Sequence, residues 1–173
     1  MEGLFFTSDT HFGCRKTLEM SRRPFATVEE MDNAMIERWN MIVKEDDVVY
    51  HLGDFGDYRR VSDLNGRVRL LLGNNDRNKT EHFDGFEQVY HEKNRFKQID
   101  SVDLFVQMAH EPLNLVKSEA FDLFGHIHKL RMVRRNGLNV GMDCHNFAPL
   151  PIEEVLYYKD QIEHYCDENT FIP

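Results

Sequence analysis

The pairs Asp9-x-His11 and His126-x-His128 bracket three further blocks of polar donors: Gly53-Asp54, Gly73-Asn74-Asn75-Asp76 and Ala109-His110. Carboxylate, amide and imidazole groups are the oxygen and nitrogen donors that suit a divalent cation. In an extended segment residues two apart project from one face, so the members of each spaced pair are expected to share one cation. Either pair alone is weak in a chain with nine histidines, but five such blocks together are hard to explain by packing. Two dications held about 3.5–4 Å apart clamp a phosphate oxygen and bring a bridging water near neutrality, which supplies a hydroxide for in-line attack. One carboxylate must lie between the ions. Asp54 suits that position, because Gly53 lets the backbone turn sharply and leaves the side chain at the end of its segment.

Each block closes a short apolar run: Leu4-Phe5-Phe6, Val48-Val49-Tyr50, Leu70-Leu71-Leu72, Leu104-Phe105-Val106 and Phe121 to Phe124. Near-continuous apolar runs read as strands buried on both faces, and ligands of such sheets sit just beyond the strands' carboxyl ends.

The ordered set Asp9-x-His11, Gly53-Asp54, Gly73-Asn74-Asn75-Asp76, His110 and Gly125-His126-x-His128 resembles the calcineurin-like metallophosphoesterase superfamily. Arg23-Pro24-Phe25, Trp39-Asn40 and Tyr50 to Phe55 are similar to a small bacterial and phage branch of it. The resemblance implies an α/β fold, a four-layer α/β/β/α sandwich of two mixed sheets flanked by helices. It also implies that Asp9, His11, Asp54 and His128 hold a first metal and that Asp54, Asn74, His110 and His126 hold a second. The activity expected is a dinuclear phosphoesterase working by attack of a metal-bound hydroxide. Manganese is the first expectation from the resemblance, and a donor set without thiolate also suits iron, zinc, nickel or cobalt.

One position departs from the family pattern. Where the third block commonly carries a histidine held to protonate the leaving oxygen or orient the phosphate, this chain has Asn75. An amide donates a hydrogen bond but no proton, and a positioned general acid contributes about 10²–10⁴-fold. Activated esters, phosphodiesters or nucleotides are therefore expected ahead of alkyl phosphomonoesters, with Asp76 supporting the loop. A general phosphomonoesterase or protein phosphatase is the alternative within enzymes. A binding module that keeps the metals as a structural clamp is the alternative outside them. His145 is a conceivable substitute acid, and Arg15 and Arg77, directly after the first and third blocks, are the basic residues nearest in sequence to a bound phosphate. His51, His82, His91 and His164 read as ordinary core or loop histidines, and Cys14 as a passive small residue.

With 173 residues and no linker, repeat or low-complexity stretch, a single domain over 1–173 is expected. Neither a signal peptide nor a membrane-spanning run is visible, so the expected place is the cytoplasm. Three widely spaced cysteines, Cys14, Cys144 and Cys166, argue against a disulfide framework and for reduced thiols. Lys plus Arg is 21 against 30 Asp plus Glu, a net charge of −9 that disfavours tight binding to long nucleic acid while allowing a small nucleotide or phosphate ester. The basic clusters Arg22-Arg23, Arg59-Arg60 and Arg131 to Arg135 read as solvated surface or as a phosphate-contacting rim.

Along the chain, Thr27 and Glu30 form a capping-box pattern before a helix over about 28 to 44, with Met31, Met35 and Trp39 on its core face. A short helix ends at Gly66, and another is expected between Asp76 and Phe86. Strands are expected at Gln88 to Tyr90, Phe96 to Ile99, Asp103 to Met108 and Phe121 to Phe124. Asn136-Gly137 is expected as the type I′ turn of a hairpin running from Arg131 to Met142. A last strand is expected at Val155 to Tyr158, its Tyr157-Tyr158 edge free to pair with another copy, before a terminal helix or tail from Gln161 to Tyr165.

Overall fold

The computed structural model describes residues 2–77 and 83–165. The apolar runs become short strands whose alternate side chains enter two different cores. Strands β1 (Leu4–Thr7), β2 (Val48–His51), β3 (Arg67–Leu71) and β4 (Gln88–Tyr90) lie parallel in that spatial order. Phe6, Tyr50 and Leu71 face the core between two sheets, while Phe5, Val49 and Leu70 face the core under the helices. Burial on both faces explains why β1 and β2 show no polar alternation.

The second sheet comprises β5 (Asn94–Ile99), β6 (Leu104–Ala109), β7 (Phe121–Phe124), β8 (Val133–Arg134) and β9 (Gly137–Asn139), in the order β5-β6-β7-β9-β8. It is parallel across β6, β7 and β9 and antiparallel at both margins. Strand β10 (Leu150–Pro151) returns to pair antiparallel with β1 in the first sheet. The chain is thus α/β, with two mixed five-stranded sheets and flanking helices, as expected.

Register brings the strand ends level. Thr7 pairs with His51 and His51 with Leu70, while Ala109 pairs with Phe124 and Phe124 with Asn139. A parallel bridge between Ser8 and Gly141, with Met142 N–H donating to the Ser8 carbonyl at 3.0 Å, stitches the carboxyl end of the first sheet to that of the second. The polar blocks of both sheets therefore converge.

Helices α1 (Arg15–Met20) and α2 (Val28–Ile42) supply the core on the outer face of the first sheet. Thr27 caps α2 by accepting from Glu30 N–H at 3.0 Å, whereas the Glu30 carboxylate accepts from Ala26 N–H, one residue before the reciprocal partner of a capping box. Trp39 is fully buried and its indole N–H donates to the Asn65 carbonyl at 2.9 Å; Asn40 Oδ1 accepts from Asn65 N–H at 2.7 Å. Together they fix the turn that feeds β3. The segment before it, Tyr58–Asp63, is a 3₁₀ helix, and Gly66 follows with φ of +88°.

Two expectations change. Val155 to Tyr158 is not a strand but the first half of α3 (Ile152–Tyr165), so Tyr157 and Tyr158 offer no sheet edge. A short apolar run does not distinguish strand from helix by itself; here Glu153 and Glu154 suit the helix's amino end, and Ile152, Val155 and Ile162 recur at helical spacing against the inter-sheet core. In the hairpin, Arg134 pairs with Gly137, so the connection is Arg135-Asn136 and the Asn-Gly type I′ turn is absent. Gly137 serves close packing instead, since a β-carbon there would lie 2.7 Å from Asp122 Cβ on β7. The helix expected between Asp76 and Phe86 falls largely outside the described residues, as do His82 and Cys166.

Candidate metal centre

Five of the seven expected ligands, Asp9, His11, Asp54, His126 and His128, adopt left-handed backbone conformations with φ of 59°, 50°, 57°, 71° and 49°. Residues other than glycine enter that region seldom, and those held there by surrounding structure cluster at functional sites. This corrects the reasoning from extended segments: each spaced pair converges because both members sit at separate left-handed kinks. Thr10, between Asp9 and His11, points away and donates to the Phe55 carbonyl at 2.8 Å.

Two clusters result. Asp9, His11 and His128 bring ligand atoms within 4.8 Å of one another, and so do Asp54, His110 and His126. Asn74 joins the second, its Oδ1 lying 2.9 Å from His110 Nε2 and 3.0 Å from His126 Nδ1. Asp54 Oδ2 is 3.5 Å from His11 Nε2 and 3.4 Å from His110 Nε2, so one carboxylate oxygen stands between the clusters. Asp9 Oδ1 and His11 Nε2 are buried without a hydrogen-bond partner. Leaving such groups unsatisfied costs about 1–3 kcal/mol each, and a cation satisfies both. The residues fit a pair of dications.

Electrostatics follow from burial and crowding. Burial raises the Asp9 carboxyl, yet His11, His110 and His128 outweigh it and hold it well below the usual range. Burial likewise opposes charge on His11, but Asp9, Cys14 and Asp54 lift it to about 9. Asp54 is held to about 2, with burial overcome by His110 and His11.

The loops are locked by buried polar contacts. Gly53, with φ of +100°, passes so close to the third block that a β-carbon would lie 2.5 Å from Gly73 N and 2.6 Å from its Cα. Asp76 is buried and accepts from Asp54 N–H at 2.6 Å, Gly73 N–H at 2.9 Å and the Tyr58 hydroxyl at 2.8 Å, the support expected of it. His51 does more than fill the core. Its Nδ1 accepts from Gly53 N–H at 3.2 Å, so Nε2 carries the proton and donates to Thr10 Oγ1 at 2.9 Å, which joins the first two blocks. Burial pushes its pKa down to about 3, leaving it neutral.

The clusters floor an open cleft of about 790 Å³, which Asn75 also lines and whose outer wall includes Lys16, Met20, Lys129 and Leu130. Asn75 donates to Asp54 through both its backbone, at 2.9 Å, and its side-chain amide, at 2.5 Å. Arg15 is exposed and paired with Glu19, outside the cleft lining, because the first turn of α1 turns Lys16 inward in its stead. Arg77 pairs with Glu111 at 2.8 Å and is not among the residues lining the cleft. His145 is no substitute acid: its Nε2 donates to the Asn139 carbonyl at 2.7 Å, its ring rests on Tyr158, and it does not line the cleft. Cys14 lines the cleft, and its hydrogen bond with His11 lowers the thiol to about 6.

Two residues at the centre escaped nomination. Arg23 is buried with Asp143, and Asp143 Oδ2 accepts from His128 Nδ1 at 2.8 Å. Arg23 therefore belongs to neither a solvated surface nor a phosphate rim. Asp143 is 120 residues from Arg23 in sequence, so no local pattern announces the pair.

Two mixed sheets whose strand ends deliver paired Asp/His clusters around a shared carboxylate define a metallophosphoesterase-type architecture. Residues 3–142 match the calcineurin-like phosphoesterase superfamily domain, and the chain belongs to that family. It is 25% identical over 173 aligned positions to the uncharacterized protein MJ1445 of Methanocaldococcus jannaschii, covering 90% of each chain. It is 36% identical to the gene 66 protein of Mycobacterium phage L5 over 85 residues, which are 44% of this chain and 41% of that protein. In fold it is similar to a crystal structure of AQ665 from Aquifex aeolicus, a protein of unknown function, with a TM-score of 0.75, 19% identity, and coverage of 91% of this chain and 100% of that one.

Proposed function

We propose that the protein is a single-domain, dinuclear metal-dependent phosphoesterase of the cytoplasm that favours phosphodiesters or nucleotides over alkyl phosphomonoesters. The observation carrying it is Asp54 Oδ2 standing between the two clusters with the Asn75 amide upon it. Asp9, His11 and His128 would hold one dication, Asn74, His110 and His126 the other, and Asp54 both; manganese is our first choice. Bound there, the ions supply Lewis-acid polarisation of the phosphoryl group and a nucleophile at neutral pH.

The side chains do the rest. Asn75 orients a phosphoryl oxygen as a donor and has no proton to give a departing alkoxide. Asn75 is the side chain that donates to the carboxylate between the clusters, whereas the proton-bearing Lys16 and Lys129 stand at the outer wall of the cleft. A leaving group that departs as a stable anion is therefore favoured. The cleft wall agrees with a nucleoside-sized group: Met20 and Leu130 are 72% and 86% exposed, an apolar rim beside the cations Lys16 and Lys129. Arg77, beside the second cluster through Glu111, is retained as a more distant phosphate contact, and Arg15 as one that needs rotation away from Glu19. The net charge of −9 supports a small ester over long nucleic acid.

The test is hydrolysis of bis-p-nitrophenyl phosphate beside p-nitrophenyl phosphate by metal-stripped protein with manganese, nickel, zinc or magnesium restored. Diester turnover should return with metal, exceed monoester turnover, and fall by at least about 10²–10³-fold in Asp54→Asn. Two metals bound with no turnover of either ester would move the reading to a binding module. Faster hydrolysis of alkyl monoesters would overturn the substrate preference.

A further inference from the structure

The first metal position is braced by a buried ion pair. Arg23 donates through Nε and Nη2 to the two carboxylate oxygens of Asp143 at 3.1 and 2.8 Å. The same guanidinium donates through Nη1 to the Thr10 carbonyl at 2.8 Å and through Nη2 to the Asp9 carbonyl at 2.5 Å. Asp143 accepts in turn from His128 Nδ1 at 2.8 Å, which fixes the tautomer and leaves Nε2 as the ring nitrogen free for a cation. Asp9, Arg23, Asp143 and His128 thus form a closed bracket around one cluster. Both charged side chains are fully or almost fully withdrawn from water, at 0% and 2% exposure. A carboxylate held this way is dry, so its hydrogen bond is not competed away by solvent.

Among the described residues, no carboxylate of a buried Arg–Asp pair accepts from a histidine of the second cluster. His110 Nδ1 donates to a neutral acceptor, the Leu52 carbonyl, at 2.8 Å. His126 is held by its backbone, whose N–H donates to Asp9 Oδ2 at 2.8 Å. Asp143 also lies one residue beyond the span matched to the family.

We propose that Arg23 and Asp143 are positioning residues that set the affinity of the first metal position, so that the two positions load unequally and the first fills at lower metal concentration. The proposal rests on the two-metal reading. Outer partners of ligating histidines are worth about 10–100-fold in metal affinity.

The experiment is a calorimetric titration of metal-stripped protein with manganese, with electron paramagnetic resonance to separate lone from coupled ions. The wild type should bind two ions in distinguishable steps. Asp143→Asn and Arg23→Lys should weaken one step by about 10–100-fold and leave the other within about twofold. In a His110→Ala background, which keeps the first position, Asp143→Asn should weaken the remaining ion; in an Asp9→Asn background it should change nothing. Because removing one member of a buried pair can unfold a protein, the double variant Arg23→Met with Asp143→Leu is included, since apolar replacement of a whole buried pair is tolerated. Its apo melting temperature reports folding, and it too should lack the tight step. Equal weakening of both steps, or two unchanged steps in a folded variant, overturns the bracket. A wild type that binds fewer than two ions overturns the two-metal reading itself, and the proposal with it.

Discussion

Three of the four ligands delivered by the first sheet, all but the exposed Asn74, stand in dry, interlocked loops, whereas two of the three delivered by the second reach the cleft at its open side. Asp9, His11 and Asp54 are 0%, 7% and 3% exposed, while His126 is exposed and His128 half-buried. The first group is cross-tied by His51, Asp76 and Arg23, each bonded to backbone of the ligand loops. On the second side only His110 is comparably buried, and Lys129 and Leu130, which follow His128, belong to the rim. The division teaches that one sheet preorganises a floor, including the carboxylate between the clusters, and the other supplies a wall where ligands and solvent can exchange.

Stability of the metal-free protein measures that division directly. The largest effect is expected from Gly53→Ala, where a β-carbon meets the Gly73 backbone and the left-handed φ is strained. It should cost about 2–4 kcal/mol in chemical denaturation. A cost below about 1 kcal/mol would mean the floor yields, and the contrast with the wall would go.

A smaller effect is expected from His51→Asn, about 1–3 kcal/mol at pH 7 through the lost link to Thr10. Its pH dependence is the sharper readout. His51 is held neutral with a folded pKa of about 3, below the ordinary 6.5, so its contribution is present above 6.5 and is lost as pH falls towards 3. His11, raised to about 9, and His110, also raised, contribute stability already complete below 6.5. Asp9 and Asp54, both lowered, lose theirs only below about 3.8. Between pH 6.5 and about 4 the wild type should therefore lose the His51 share of stability, opposed by the raised carboxyls of Asp32 and Asp122, and His51→Asn should remove that share while leaving those of Asp32 and Asp122 and that of His145, which burial also lowers. An unchanged slope would show His51 to be solvated in the folded state.

The smallest effect belongs to His126→Ala on the wall, within about 0.5 kcal/mol of the wild type without metal, as for exposed positions generally. The same variant should lose the second manganese in calorimetry. Destabilisation equal to that of Gly53→Ala would erase the distinction between floor and wall.

Much of this centre was legible because it is local. Asp9-x-His11, Gly53-Asp54, the Asn74 to Asp76 block and Gly125-His126-x-His128 are contiguous, and each follows an apolar run whose two buried faces leave no alternation to obscure it. The helix over Val28–Ile42 was announced by its Thr27 cap and the spacing of Met31, Met35 and Trp39. Where a short run carried both possibilities, as at Val155 to Tyr158, local pattern was insufficient and packing against the inter-sheet core decided for helix. Arg15 shows the same limit at one residue: adjacency to the first block said nothing about which way the α1 turn would face.

The amino-acid sequence by itself determined the donor types, their order and the strands that carry them, since these depend on residue chemistry and short-range periodicity. Only the tertiary structure decided that five of the ligands turn through left-handed kinks and that Arg23 meets Asp143 across 120 residues to brace His128. Those outcomes depend on which distant groups are desolvated together, and buried polar atoms take the partners that the closed fold brings within reach.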